Sequence, residues 1–188
     1  MPSRSLLITA FVLLVATAIS LCPVPAVAGD ADDLVTAVWS MDMKKAAELI
    51  ESGVDINGKN AQGTTALLLA CGYKDNDEMI ELLVSKGADV NMQASDGKTP
   101  LALAARYSKK AVELLLDKGA DVNATAEMGT TALMWASHSG QVEIVNLLLV
   151  KGADVNVKDA NEWTALRWAS EQSQDEIIKI LNANGAKE

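Results

Sequence analysis

Four aspartates, Asp55, Asp89, Asp121 and Asp154, recur at spacings of 34, 32 and 33 residues. Carboxylates are the groups that carry out acid–base hydrolysis or hold calcium, and both chemistries need several oxygens in one site. A period near 33 instead gives each structural unit one aspartate, roughly 10 Å from the next if the units stack as helix layers do. Beside Gly and Asn, such an aspartate serves its own turn. The single histidine, His138, would have to act as base for Ser137 or Ser139 in a hydrolase triad, but no strand-to-helix elbow presents either serine. Cys71 stands where a small residue packs between helices, so a buried thiol is expected rather than a nucleophile. One histidine and one mature cysteine fall short of the three or four ligands of a zinc site, and no glycine loop has the form that cradles phosphate. The residues therefore predict no catalytic site, no metal and no cofactor.

The elements that carry these residues are set by a repeat. Gly-Ala-Asp-Val-Asn occurs at Gly87, Gly119 and Gly152, with Gly53-Val54-Asp55-Ile56-Asn57 before them and Gly185-Ala186 after. A second string precedes each copy: Thr64-Thr65-Ala66-Leu67, Lys98-Thr99-Pro100-Leu101, Thr130-Thr131-Ala132-Leu133 and Trp163-Thr164-Ala165-Leu166. Thr99 can cap a helix whose first turn accepts Pro100, because the missing N–H has no partner to lose there. This predicts a short helix from Pro100 to about Tyr107. Val112, Leu114, Leu115 and Leu116 then give a second helix apolar faces that only neighbouring units can cover. Gly119 ends that helix in the left-handed conformation, and Val122 points back to the core. Val142, Ile144, Leu147, Leu148 and Leu149 repeat the pattern.

A period near 33 with Thr-[Pro/Ala]-Leu-x-x-Ala opening one helix and Gly-Ala-Asp-Val-Asn closing the next resembles the ankyrin repeat family. The resemblance runs from Asp30 to the C-terminus and implies an all-α solenoid of five helix-turn-helix repeats with short β-turn fingers. The repeats fall at about 30–60, 61–94, 95–126, 127–159 and 160–188, within a domain spanning 29–188. The two ends are capping repeats with polar outer faces, marked by Asp32, Asp33, Lys44, Lys45 and Glu48 and by Glu171, Asp175, Glu176 and Lys179. Three departures stand out. The histidine usual after Thr-Pro-Leu is replaced by Leu68, Ala102, Met134 and Arg167, so the family's Thr–His ladder is lost. The turn between paired helices is one residue longer around residues 73–77 and one shorter around residues 107–110. Glu162 stands where the sister repeats have Gly63, Gly97 and Gly129.

The resemblance also implies a concave groove, built from finger tips and the ends of the first helices, that holds a protein partner. Its positions map to Trp39 and Ser40; Ala61, Gln62, Thr64 and Tyr73; Ser95, Lys98, Arg106 and Tyr107; Glu127, Met128, Thr130, His138 and Ser139; and Asn161, Trp163, Glu171 and Gln172. Trp39, Tyr73, Arg106, Tyr107, Met128, His138, Trp163 and Glu171 are the expected contacts, since Trp, Tyr, Arg and Met bury much area per rotamer fixed. Trp135 and Trp168 occupy positions held by Leu69 and Leu103 in sister repeats and are assigned to packing. Lys44, Lys45, Lys109 and Lys110 read as solvated turn charges.

Composition bounds the rest. The 188 residues are 49% hydrophobic and 22% charged, with a net charge of −9, which excludes a phosphate backbone as an obvious partner. Arg4 precedes an apolar run over residues 6–21, then Pro23 and Pro25, then Ala26-Val27-Ala28. That is the profile of a signal peptide over residues 1–28, cut after Ala28. Thr9, Thr17 and Ser20 interrupt the run, against a permanent span. Lipidation at Cys22 is the minority alternative, because Leu21 stands where Gly, Ala or Ser normally precedes such a cysteine. The mature chain would hold 15 basic against 25 acidic groups, a net charge of −10. The expectation is a monomeric, non-catalytic scaffold for a protein of unknown identity, periplasmic or secreted, without nucleic acid or membrane contact after cleavage. A secreted effector acting on a host protein, and an accessory or inhibitor of an exported enzyme, remain the alternatives.

Overall fold

Each threonine of the repeated string begins a helix. In the computed structural model, which describes residues 31–126 and 128–187, the Oγ1 atoms of Thr65, Thr99, Thr131 and Thr164 accept from the backbone N–H three residues on, at 3.2 to 3.5 Å. Each satisfies one of the donors that a helix start leaves without a partner. The helices among the described residues are α1 (Ala31–Trp39), α2 (Met43–Glu51), α3 (Ala66–Cys71), α4 (Asp77–Ser85), α5 (Pro100–Ala104), α6 (Lys109–Asp117), α7 (Ala132–His138), α8 (Val142–Val150), α9 (Ala165–Glu171) and α10 (Asp175–Ala183). From α3 on, short first helices alternate with longer second helices, whereas α1 and α2 are of equal length, and each described pair packs on its neighbours. The expected leader and cleavage site, Cys22 and Glu127 lie outside the described residues.

The core is a row of equivalent positions covered by adjoining pairs. Leu83, Leu115, Leu148 and Leu181 sit four residues before their closing glycines and are fully buried, and Leu49 is nearly so. None could be shielded by its own pair, so burial of these leucines is the adhesive between units. Leu114, Leu116 and Val122 are only partly buried against that core. The residues expected to mark the polar ends are exposed.

Helix α5 is shorter than its sequence suggests. It ends at Ala104 instead of near Tyr107, and Tyr107 N and Ser108 N both donate to Ala104 O, at 2.9 and 3.0 Å. The cause is the connection to α6. From capping threonine to the residue before the second helix, the four complete connections span 11, 9, 10 and 10 residues, from Thr65 to Asn76, Thr99 to Ser108, Thr131 to Gln141 and Thr164 to Gln174. With the shortest span, the chain must leave α5 early to reach the same start for the second helix. The long connection places Asp75 at φ +61°.

A second ladder joins the repeats where the Thr–His pairs are missing. In each finger, Asp Oδ1 accepts from the N–H of the Asn two residues on, at 2.9 to 3.0 Å. That Asn then reaches the following unit: Asp89 N donates to Asn57 Oδ1, Asp121 N to Asn91 Oδ1 and Asp154 N to Asn123 Oδ1, at 2.8 to 2.9 Å. On the other side, Asn91, Asn123 and Asn156 donate through Nδ2 to the carbonyls of Gly119, Gly152 and Gly185. The aspartate series is thus a set of turn caps, and the asparagines clip one repeat to the next. Asn123→Ala deletes both clips between the third and fourth pairs. Because these bonds are exposed, each is worth about 0.5–1 kcal/mol, and we expect the urea midpoint to fall by a matching total of about 1–2 kcal/mol.

Candidate functional site

The first helices and the fingers meet at an inner corner, and the side chains in that corner line a trough. At its N-terminal end Trp39, Met41, Leu69 and Tyr73 enclose an apolar hollow of about 200 Å³. The Trp39 ring meets Tyr73 edge-on, with centroids 5.5 Å apart. Trp39 is 65% exposed and Met41, held at φ +55°, is 55% exposed. Surface of this kind stays wet only at a cost, which partner contact would remove. The trough continues past Leu69 and Tyr73 to Asp96, Lys98 and Leu103. It widens between Met128, Trp135, Asp159, Asn161 and Trp168 into a hollow of about 320 Å³.

Rings and cations run along this wall from repeat to repeat. The guanidinium of Arg106 lies 4.9 Å from the Tyr107 ring centroid and 5.1 Å from that of Trp135. Trp135 meets Trp168 at 5.3 Å, and His138 packs against both, at 6.4 and 5.4 Å. Lys74 lies over Tyr107 at 5.7 Å. Trp168 is fixed by its Nε1–H, which donates to Asp159 Oδ2 at 2.9 Å. Asp159 Oδ1 takes the N–H groups of Asn161 and Trp163, so this buried carboxylate is fully engaged in holding its finger. Lys98 donates to Asp96 at 2.6 Å, and that hydrogen bond holds the Asp96 carboxyl below its usual range.

Of the residues expected to contact a partner, Trp39, Tyr73, Arg106, Tyr107, Met128 and His138 lie along this trough. Trp163 and Glu171 do not. Arg167 stacks on the Trp163 ring at 5.3 Å and pairs with Glu171 at 2.7 Å, and Trp163 and Arg167 line a separate hollow at the open end of the stack. The residues equivalent to Arg167, namely Leu68, Ala102 and Met134, are buried beneath a following repeat, and no described repeat follows here. Thr64, Lys98, Thr130 and Asn161 line the trough. Ser40 and Ser95 spend their hydroxyls on backbone carbonyls.

Trp135 and Trp168 pack on the core as their helical positions predict, but their other faces form the trough wall. The two rings lie one period apart with His138 three residues from the first, but that spacing does not say which of their faces stays open. Cys71 is 1% exposed, and burial pushes its thiol far above its usual range, so it has neither the access nor the ionisation of a nucleophile. Among the described residues, no three His, Cys, Asp or Glu side chains gather as metal ligands, and no helix is long and apolar enough to cross a membrane.

The family model described as ankyrin repeats, in three copies, matches residues 34–126 and again 125–188. No curated protein matches the chain.

Proposed function

Because the chain belongs to the ankyrin repeat family, whose members are generally protein–protein interaction modules, we propose that it is a non-catalytic scaffold that holds a protein partner in the trough. The observation that carries this reading is the ring series from Trp39 to Trp168, exposed at Trp39 and Tyr73 and half-buried at Tyr107, Trp135 and Trp168, which crosses all five described helix pairs on one side. Aromatic side chains anchor interfaces because they bury large areas while fixing few rotors. The apolar leader and Ala26-Val27-Ala28 support export, cleavage after Ala28 and action in a periplasm or outside the cell.

Two measurements test this. A photo-reactive residue placed at Tyr73 should cross-link the partner in cells, whereas the same residue at Val150, 84% exposed on α8, should not. Equal cross-linking from both positions would sink the trough as the site. Trp39→Ala should weaken partner recovery at least tenfold, as loss of an interface anchor does. Its melting temperature should change by under about 2 °C, because an exposed ring contributes little to the fold. The mature mass and the compartment holding the protein test the export reading separately.

A further inference from the structure

We propose that Arg106 anchors an aspartate or glutamate side chain of an extended partner segment lying along the trough, with an apolar neighbour of that acid seated between Met128, Trp135 and Trp168. The proposal rests on the trough reading above and names the chemistry of its centre. Lys86, Lys98, Lys110, Lys151 and Arg167 each pair with a carboxylate, at 3.3, 2.6, 2.7, 3.0 and 2.7 Å, whereas lysines such as Lys45 and Lys118 stand exposed in solvent. The half-buried Arg106 belongs to neither group. Its guanidinium carbon lies 4.9 Å from the Tyr107 ring centroid and 5.1 Å from that of Trp135, and of its nitrogens only Nε is both buried and unpaired.

That arrangement favours a ligand from outside. The guanidinium is a rigid fork whose Nε–H is covered, so the four N–H groups of its two terminal nitrogens are the ones left for an outside carboxylate, and the two rings limit how the fork can turn. The residue itself is fixed from behind, where Gln141 Nε2 donates to Arg106 O at 3.1 Å. The two acids of the trough among the described residues are engaged elsewhere, since Asp96 is paired with Lys98 and Asp159 accepts three N–H groups. Lys74, over the Tyr107 ring, adds a second positive charge on the same stretch. A planar carboxylate matches the fork with two parallel hydrogen bonds. A dianionic phosphate would face the field of a chain with net charge −9 with only Arg106 and Lys74 to offset it, and a planar carboxylate carries half that charge.

The test pans a random dodecapeptide library, displayed on phage, against the full chain. Peptides enriched over the unselected library are expected to carry Asp or Glu beside an aromatic or aliphatic residue. One such peptide and its Glu→Gln version are then titrated by tryptophan fluorescence against the wild type, Arg106→Gln and Arg106→Lys. The acidic peptide should lose at least about tenfold in affinity for Arg106→Gln, the scale of one charge-assisted pair. Arg106→Lys should restore only part of it. The Glu→Gln version should lose as much against the wild type and nothing further against Arg106→Gln, which assigns the coupling to this pair. Because the peptide can be changed instead of the protein, the outcome stands even if Arg106→Gln disturbs the fold. Selected peptides without acids, or bound equally by the wild type and Arg106→Gln, would overturn the proposal. If those same peptides are lost on Trp135→Ala, the trough still binds proteins. Peptides indifferent to Trp39→Ala and Trp135→Ala as well, or no enrichment at all, would end both readings.

Discussion

Replacing Leu115 by alanine is expected to remove about 3 kcal/mol of unfolding free energy, within the range for truncating a fully buried leucine. Leu115 is 0% exposed and lies on α6 in the middle of the stack, with helix pairs on both sides. The lost methyl groups would leave a void that α4 and α8 cannot close without giving up their own contacts. Against a total stability of 5–15 kcal/mol for typical domains, such a loss should split a single denaturation transition into a broader one as the halves of the array uncouple. Leu181→Ala makes the same chemical change at an equally buried equivalent position in α10. Because α10 packs on described helices to one side only, the damage there should stay local. Hydrogen exchange would show α10 opening while α4 to α8 keep their protection. Equal global losses from the two variants would show that the array folds as one indivisible unit.

The second large effect concerns a backbone position. Gly129 has φ +73°, and a Cβ there would come within 3.1 Å of Asp159 Cα and 3.4 Å of Lys158 O in the next finger. Both contacts are with backbone, so neither yields by a rotamer change. Gly129→Ala should therefore cost about 2–3 kcal/mol, combining left-handed strain of about 1 kcal/mol with overpacking of about 1–2. Glu162 occupies the equivalent turn at φ +63°, with the matching pair of turn hydrogen bonds. No described finger follows it, so the side chain has room and pairs with Lys158 at 3.2 Å. Only the strain remains, and Glu162→Gly should raise stability by about 0.5–1 kcal/mol, because an exposed ion pair returns little. Thermal denaturation of the two variants is the check. Shifts of the same sign would refute the account of this turn.

The swap at Glu162 also shows how the sequence could be read. A glutamate where the sister repeats have glycine looks like a departure from the repeat, yet it falls in a finger that no described finger covers, where close approach does not forbid a Cβ. Threonine caps, closing glycines and the Asp-x-Asn turns were legible because each acts within a few residues of itself. The end of α5 at Ala104 was not, since it depends on the length of the connection to α6 rather than on the residues of α5. Nor was the trough wall. Helical position alone cannot say whether Trp135 is covered on one face or two, because the answer lies in its neighbours one period away, Arg106 and Trp168. The removal of Trp163 and Glu171 from the trough has the same origin, as Arg167 draws both towards the open end.

The asparagine clips join each finger only to its immediate neighbour, and under tension that has a mechanical consequence. Load applied to the two ends of the described array would be carried equally by every junction, since they act in series, and among the described residues no clip crosses two layers to share it. The weakest junction yields first, and the end pairs are held on one side only. Detachment should therefore proceed as peeling from an end, each step releasing one period of chain, about 33 residues or ~110 Å of contour. A tethered chain of this construction would yield as a compliant spring, lengthening in equal increments and recoiling as each layer finds the one beneath it.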